Sequence, residues 1–151
     1  MDPVLDKILS YAIPLAAVIL SYILGRLQTR KSEKRQAQKE RYEQFYVPFI
    51  TLLYGAGSLR YSELDFKAQC QYHDLLFLKI QYIDEQTQSL LPAYNDAFYE
   101  ALENPSGACQ LDASFTAIRN SVLSEAQTLS NSLHLPPLGK SLCQAVPRPR
   151  G

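Results

Sequence analysis

The chain opens with a long apolar segment. Ile8 to Leu24 are 17 consecutive residues without a charged side chain, and basic residues follow at once. As a helix with a rise of ~1.5 Å per residue, this run covers about 25 Å, and Pro3 to Leu5 extend it if Asp6 and Lys7 lie at a bilayer interface. The pattern therefore predicts one transmembrane anchor over residues 1–25.

A cleavable signal peptide is the alternative interpretation of this run. Against it, Asp2 and Asp6 outweigh Lys7 ahead of the run, and no small-residue cleavage site follows it. The run also ends on a charge, at Gly25-Arg26. We therefore expect the anchor to be retained.

A basic neck, Arg26 to Arg41, follows the run. It holds seven basic and two acidic residues, a net charge of +5, and lacks the apolar stripe of a coiled coil. The excess of cations on this side predicts an N-terminus outside a bacterial inner membrane and a C-terminal domain in the cytoplasm. The neck either contacts anionic lipid headgroups or only sets the topology. The candidate lipid-contacting residues are Arg26, Arg30, Lys31, Lys34 and Arg35.

Small residues recur inside the apolar run. Ala17, Ser21 and Gly25 are four residues apart, so they would share one face of a helix. Such a face lets a second helix approach closely in a membrane. The spacing suggests a homo-oligomer formed through the bilayer, and a monomeric anchor is the alternative.

From Tyr42 onwards, apolar residues at spacings of three and four predict amphipathic helices. The first helix carries an aromatic stripe that Pro48 should kink or restart near Tyr46, and Gly55 and Gly57 should end it. The second should begin at a capping pattern from Ser62 to Asp65 and become the most buried of the set. The first stripe consists of Tyr42, Phe45, Tyr46, Phe49, Leu52 and Leu53.

Two further helices complete the pattern. Asp84 should cap the third, which the segment Asn104 to Gly107 should end. Asp112 should open the fourth, and the periodic pattern stops at Leu135-Pro136. The stripe of the fourth helix consists of Phe115, Ile118, Val122, Ala126, Leu129 and Leu133.

Two segments of this region resemble a known group of proteins. RYEQFYVPFITLLY (Arg41–Tyr54) and KIQYID (Lys79–Asp84) resemble small single-span membrane proteins of Gram-positive bacteria, a group with no assigned activity. The resemblance extends over Gly25–Leu135. It implies an N-terminal anchor and a helical cytoplasmic part, and it carries over no functional residue.

The predicted fold class is therefore all-α: an N-terminal transmembrane helix, a basic neck and a small cytoplasmic bundle of about four helices. We place the boundaries at 1–25 for the anchor, 26–41 for the neck, 42–135 for the bundle and 136–151 for a disordered proline-rich tail. Between Tyr42 and Val146 the chain carries a net charge of −6, which argues against binding of nucleic acid.

Candidate chemistry is limited to Cys70 and His73, three residues apart on one helical face with Asp74 beside them. They could supply two metal ligands or a thiolate next to a base, although a packed cysteine and a half-exposed histidine explain the pair more simply. Cys70, Cys109 and Cys143 are an odd number of cysteines, which favours reduced thiols. No phosphate-binding loop or catalytic motif is present, so no catalytic, cofactor-binding or metal-ligating residue is predicted.

The function expected from these features is that of a membrane-anchored interaction or adaptor module with an unidentified protein partner. Two alternatives stay open. One is a membrane-tethered enzyme that uses Cys70 and His73, and the other is a phage- or plasmid-type membrane protein acting in exclusion or immunity. An enzyme should have a polar pocket around Cys70 and His73, an adaptor should have an apolar groove, and a bilayer effector should depend on the identity of its span.

Overall fold

A computed structural model describes the backbone of residues 3–57, 59–136 and 138–139, with side chains from residue 16 onwards. Over these ranges the chain is all-helical and contains no strand, so the predicted all-α class is confirmed. The longer helices after the neck are four in number, as expected. The α-helices are α1 (Pro3–Arg41), α2 (Val47–Ala56), α3 (Phe66–Leu78), α4 (Glu85–Gln88), α5 (Leu91–Glu103) and α6 (Ala108–Leu133).

The chain divides into two compact units, Met1–Ala37 and Gln38–Gly151. The first unit contains most of α1. Over the part of the chain that the structure describes, no helix combines the length and the apolarity needed to cross a membrane. The side chains of residues 1–15, more than half of the predicted anchor, lie outside that part. The predicted tail also lies outside it, apart from residues 136, 138 and 139.

The core of the second unit is centred on α6. All six residues of its predicted stripe are buried, and α6 packs against α4, α5 and the short turns between helices. By contrast, α3 buries only Tyr72 and Leu76, and its Phe66 and Leu78 are exposed to solvent. The prediction that the second helix is the most buried is therefore wrong, because α3 covers one side of the core while α6 crosses it.

A π-helical turn, Tyr42–Tyr46, joins α1 to α2. The amide of Val47 donates to the carbonyl of Tyr42, five residues back, instead of four as in an α-helix. Pro48 is the physical reason, since it has no amide hydrogen to donate and its ring would clash with a carbonyl in a regular turn. The predicted restart near Tyr46 is confirmed. The wider turn places Tyr42, Phe45 and Tyr46 together in the core.

The ends of the helices agree only in part with those predicted from the sequence. Asp84 caps only the short helix α4, by accepting a hydrogen bond from the amide of Thr87 at 2.9 Å. The third predicted helix, α5, begins separately at Leu91 and has no side-chain cap. The chain turns back after α5 at Pro105–Gly107, as expected. Glycine suits position 107, because an added Cβ would lie only 3.1 Å from the backbone nitrogen of Ala101 and would require the backbone to shift.

Two further predicted helix starts are wrong. Ser62 lies in a 3-10 turn, Tyr61–Glu63, and the residue that caps α3 is Asp65, whose carboxylate accepts from the amide of Ala68 at 2.8 Å. The last helix begins at Ala108, one turn before Asp112. The carboxylate of Asp112 is used elsewhere, because Ser62 donates to it from both its amide and its hydroxyl, each at 2.8 Å.

Arg41, the last residue of the predicted neck, belongs to the second unit. Its Nε donates to the carbonyl of Tyr82 at 3.0 Å, and its guanidinium lies 3.7 Å from the carboxylate of Glu125. The hydroxyl of Tyr46 then donates to Asp84 at 3.4 Å. The two segments that carry the family resemblance, Arg41–Tyr54 and Lys79–Asp84, therefore contact each other.

Candidate functional site

A cluster of aromatic rings forms the centre of the second unit. Tyr61 stacks on Phe115 with ring centroids 4.0 Å apart, and the rings of Tyr72 and Phe115 meet edge to face at 5.1 Å. Phe49 contacts both Tyr72 and Phe115. Such edge-to-face and offset pairs add to the stabilisation that burial alone provides. The π-turn and the 3-10 turn Tyr61–Glu63 bring rings from four separate segments together.

A half-open cavity of about 960 Å³ lies beside this cluster. Its apolar wall comes from α2, the following loop and α6, and includes Leu53, Leu59, Leu64 and Phe115. Its size falls in the range of pockets that hold small ligands. Its charged lining residues are Arg60, Asp112 and Arg119.

The rim of the cavity is held by the contact between Ser62 and Asp112. These residues are separated by 50 positions in the sequence, and their two hydrogen bonds fix the turn Tyr61–Glu63 to α6. Gln69 supports the same turn by donating from its side-chain amide to the carbonyls of Tyr61 and Leu64, each at 3.1 Å. These four hydrogen bonds hold the rim of the cavity in one conformation.

The tyrosine hydroxyls inside the cluster differ in their hydrogen bonds. Tyr61 donates to the carbonyl of Gln69 at 2.9 Å, and the hydroxyls of Tyr61 and Tyr94 are 2.6 Å apart. Burial raises the pKa of both phenols. The hydroxyl of Tyr72 is also buried but has no hydrogen-bond partner among the described residues, although Tyr72 lines the cavity. Burial raises the pKa of Tyr72 to about 12, an effect that the nearby charge of Arg119 reduces.

We expect Tyr72→Phe to leave the free energy of unfolding unchanged or to raise it by about 1 kcal/mol, since a buried hydroxyl without a partner is desolvated without compensation. Tyr61→Phe is the matched control. It should lower the free energy of unfolding by about 1–2 kcal/mol, because Tyr94 and the Gln69 carbonyl lose their partner. Urea unfolding of the fragment Gln38–Gly151 measures both. A loss above 1 kcal/mol for Tyr72→Phe would contradict the first expectation.

The buried phenol of Tyr72 also predicts a loss of stability at alkaline pH. Tyr72 has a folded-state pKa of about 12, above the value of about 10 for an unfolded chain. Burial penalises the charged phenolate, so the penalty is absent below pH ~10, and the folded state loses stability as the pH rises towards 12, by up to about 3 kcal/mol for two pKa units. Stability measured over this window should therefore fall less steeply in Tyr72→Phe than in the wild type.

Cys70 and His73 lie outside the cavity lining. His73 stacks on Phe98 with ring centroids 4.7 Å apart, and its Nε2 lies 3.2 Å from the side-chain oxygen of Asn95. Its Nδ1 is 3.9 Å from the exposed carboxylate of Asp74, and Cys70 packs half-buried against the core. Among the described residues, no three His, Cys, Asp or Glu side chains come together where they could hold a metal ion. The contacts of His73 hold α3 against α5.

The predicted membrane-associated residues all lie on α1, within the first unit. Ala17, Ser21 and Gly25 are exposed there, and a Cβ added at Gly25 would meet no other atom within 4 Å. The guanidinium of Arg26 lies 5.9 Å from the ring centre of Tyr22. The five candidate lipid-contacting residues are also exposed, and none forms a salt bridge with another described residue. Their roles stay predictions.

Sequence reasoning missed most of the cavity. Periodicity places Tyr72 only on the apolar surface of the second predicted helix, and it singles out neither Arg60 nor Arg119. One signal was available, namely the scarcity of basic residues: Tyr42 to Val146 contains only five, against eleven acidic ones, so each basic residue is worth attention. Two of those five basic residues line one cavity, which their positions 59 residues apart in the chain did not indicate.

Comparison of this chain with known proteins found no match. No protein family model matches it, and no curated protein and no solved structure is significantly similar to it. The resemblance carried by Arg41–Tyr54 and Lys79–Asp84 therefore stays a prediction.

Proposed function

We propose that this protein is a single-pass, membrane-anchored interaction module whose helical bundle offers a binding cavity on the cytoplasmic face. The observation that carries the anchor is the exposure of the apolar residues of α1. Val18, Leu20 and Tyr22 are 59–67% exposed within the first unit. A continuous apolar surface of this kind is typical of a segment that contacts lipid or another protein.

The sequence around these residues favours lipid over a soluble partner. The uncharged run continues upstream to Ile8, and the exposed cations of the neck follow it directly. Cations that follow an apolar span are usually retained in the cytoplasm, and this supports a cytoplasmic position for the second unit. The five exposed cations also lie close enough in sequence to the run to contact anionic headgroups.

The cavity favours an interaction module over an enzyme. It is lined largely by apolar side chains and lies away from Cys70 and His73. The enzyme alternative required a polar pocket around these two residues, whereas His73 packs between Phe77 and Phe98. The contacts of His73 support a structural role, and the binding function is assigned to the cavity.

Extraction from membranes tests the anchor. We expect the full chain to stay with the membrane fraction after carbonate washing, and Val18→Asp to weaken this retention, because an acidic residue near the centre of a span costs about 2.5–3.5 kcal/mol of insertion free energy. Gln28→Asp adds the same charge outside the run and serves as the control. Complete extraction of the wild-type chain, or equal retention of both variants, would refute the anchor.

Cysteine accessibility tests the orientation. Cys109 is exposed on the second unit, so it can report the side of the membrane on which that unit lies. A membrane-impermeant maleimide should label Cys109 only after the cells are permeabilised, with a Cys70→Ser, Cys143→Ser background to isolate the signal. Labelling of Cys109 in intact, osmotically protected cells would place the second unit outside.

A further inference from the structure

The segment after α6 folds back along that helix. α6 ends at His134, whose left-handed backbone turns the chain, and the amide of Leu135 donates to the carbonyl of Ser130 at 2.8 Å. Further on, Gly139 is buried against Leu123, because a Cβ added at this glycine would lie 2.9 Å from the Leu123 side chain. Leu123 precedes the end of α6 by about three turns, so the segment runs back along the helix.

Gly139 lies about one helical turn from the cavity. A Cβ added there would also lie 3.7 Å from the side chain of Ile50 on α2. One turn further along each helix, Leu53 of α2 and Asn120 of α6 belong to the cavity lining. One turn spans ~5.4 Å, so the residues that follow Gly139 are within reach of the cavity.

The chain can leave the turn at Leu138–Gly139 in either of two directions along α6. Towards His134, the surface is already covered by the segment that brings the chain to Gly139. In the other direction lies the cavity of about 960 Å³, whose lining includes exposed apolar side chains such as Leu59. Covering apolar side chains removes them from water and lowers the free energy, so the path into the cavity is favoured.

An uncharged stretch of the tail matches the cavity in length. Ser141–Val146 contain no charged residue and carry the apolar side chains of Leu142 and Val146. In extended form this stretch covers about 20 Å, and the lining contributed by α6, from Ala108 to Asn120, is ~18 Å long. Several side chains of this lining are small, Ala113 among them, so a peptide backbone can approach α6 closely.

Charge also favours contact between the tail and the rest of the second unit. Residues 140–151 hold three basic and no acidic side chains, whereas residues 38–139 hold six basic and twelve acidic ones, a net charge of −6. Opposite net charges attract each other. The three cations, Lys140, Arg148 and Arg150, flank the uncharged stretch, so that stretch can enter the cavity without burying a charge.

We propose that Ser141–Val146 of the same chain occupy this cavity, with Leu142 and Val146 against its apolar lining, and compete there with the protein partner of the module. The inference rests on the cavity as the binding site of the proposed function and is independent of the anchor. A short tether holds such a segment at an effective concentration on the order of millimolar. A partner must therefore bind tightly enough to displace the tail.

Disulfide trapping on the full chain tests the proposal. Cys143 lies in the middle of the proposed segment, and Thr116 is exposed on α6 in the cavity lining. In a Cys70→Ser, Cys109→Ser background, oxidation by copper phenanthroline should link Cys143 to the cysteine that Thr116→Cys introduces. Mass spectrometry of the digested protein identifies the link and measures its rate of formation.

Gln127→Cys is the matched control. Gln127 is exposed on α6, outside the cavity lining and on the other side of Leu123. It is one turn from Leu123, whereas Thr116 is two turns away, so a tail that does not enter the cavity would reach Gln127→Cys at least as easily.

We expect Thr116→Cys to form the intramolecular disulfide at least about fivefold faster than Gln127→Cys, because docking concentrates Cys143 on the cavity side. Leu142→Ser, Val146→Ser should reduce this ratio to below about twofold, since the apolar contacts are lost. Ser141→Ala, Gln144→Ala changes two positions of the same stretch without removing an apolar side chain, and it should leave the ratio unchanged.

Three results would overturn the proposal: trapping that is equal or faster with Gln127→Cys, a ratio that Leu142→Ser, Val146→Ser does not reduce, or disulfides formed only between two copies. Circular dichroism shows whether each variant is folded, and Ala113→Cys, also exposed in the lining, decides the question if Thr116→Cys is not. Failure of the tail contact leaves the extraction and cysteine-labelling results unchanged and the cavity open to a partner, so it is distinguishable from failure of the proposed function.

Discussion

Phe49→Ala is expected to lower the free energy of unfolding of the second unit by about 3–5 kcal/mol. Phe49 is fully buried and contacts Phe45, Tyr72 and Phe115, so truncation removes a ring from the middle of the aromatic cluster. The cavity left behind cannot close easily, because its neighbours come from separate helices. Urea unfolding of the fragment Gln38–Gly151, followed by circular dichroism, measures the change.

Phe66→Ala is the matched control, since Phe66 is 60% exposed at the start of α3. It should change the free energy of unfolding by less than about 0.5 kcal/mol. The wild-type fragment should unfold cooperatively, because the unit Gln38–Gly151 contains its own core. Equal effects of the two substitutions would show that the aromatic cluster does not hold the fragment together.

The aromatic stripe could be predicted because it depends on local spacing. Phe45, Tyr46 and Phe49 share a face in any helix, and all three are fully buried in the structure. Pro48 marked the interruption of that helix, since the lack of an amide hydrogen is a property of the residue itself. The fold class and the order of the helices followed from such local signals.

Local spacing predicted helix starts at Ser62 and Asp112, and both predictions are wrong. Both residues are common helix caps, yet each satisfies the other across 50 positions of sequence. A capping pattern does not reveal whether a carboxylate has a stronger partner elsewhere in the fold. Sequence periodicity likewise placed Tyr72 in the core without indicating that its hydroxyl would lack a partner beside a cavity.

The sequence also did not indicate that the two ends of the basic neck have different surroundings. The sequence gives Arg26–Arg41 one continuous charge pattern, with nothing to separate its two ends. In the structure Arg41 donates a hydrogen bond to the carbonyl of Tyr82 and forms an ion pair with Glu125. The ammonium of Lys39 lies 3.7 Å from the carboxylate of Glu43. Among the described residues of the neck, the cations from Arg26 to Arg35 form no salt bridge, so these are the ones for which we propose lipid contact.

Replacement of Arg30, Lys31, Lys34 and Arg35 by Gln is expected to weaken binding of the neck to anionic vesicles by up to about three orders of magnitude. Each cation at a membrane surface contributes roughly 1 kcal/mol, and four of them are removed. The measurement uses a peptide of residues Arg26 to Tyr54 and vesicles that contain phosphatidylglycerol. Neutral vesicles should bind the wild-type peptide weakly, because the attraction is electrostatic.

Salt provides an independent check on the same interaction. Screening acts over about 10 Å at 0.1 M salt, so the wild-type peptide should dissociate as salt is raised. The control peptide carries Gln28→Ala, Thr29→Ala, Ser32→Ala and Gln36→Ala, which change four positions of the same segment without changing its charge. It should bind at least as tightly as the wild type. Equal binding of the glutamine variant, or binding that salt does not weaken, would show that the cations set topology only and that the aromatic face from Tyr42 to Phe49 is the contact.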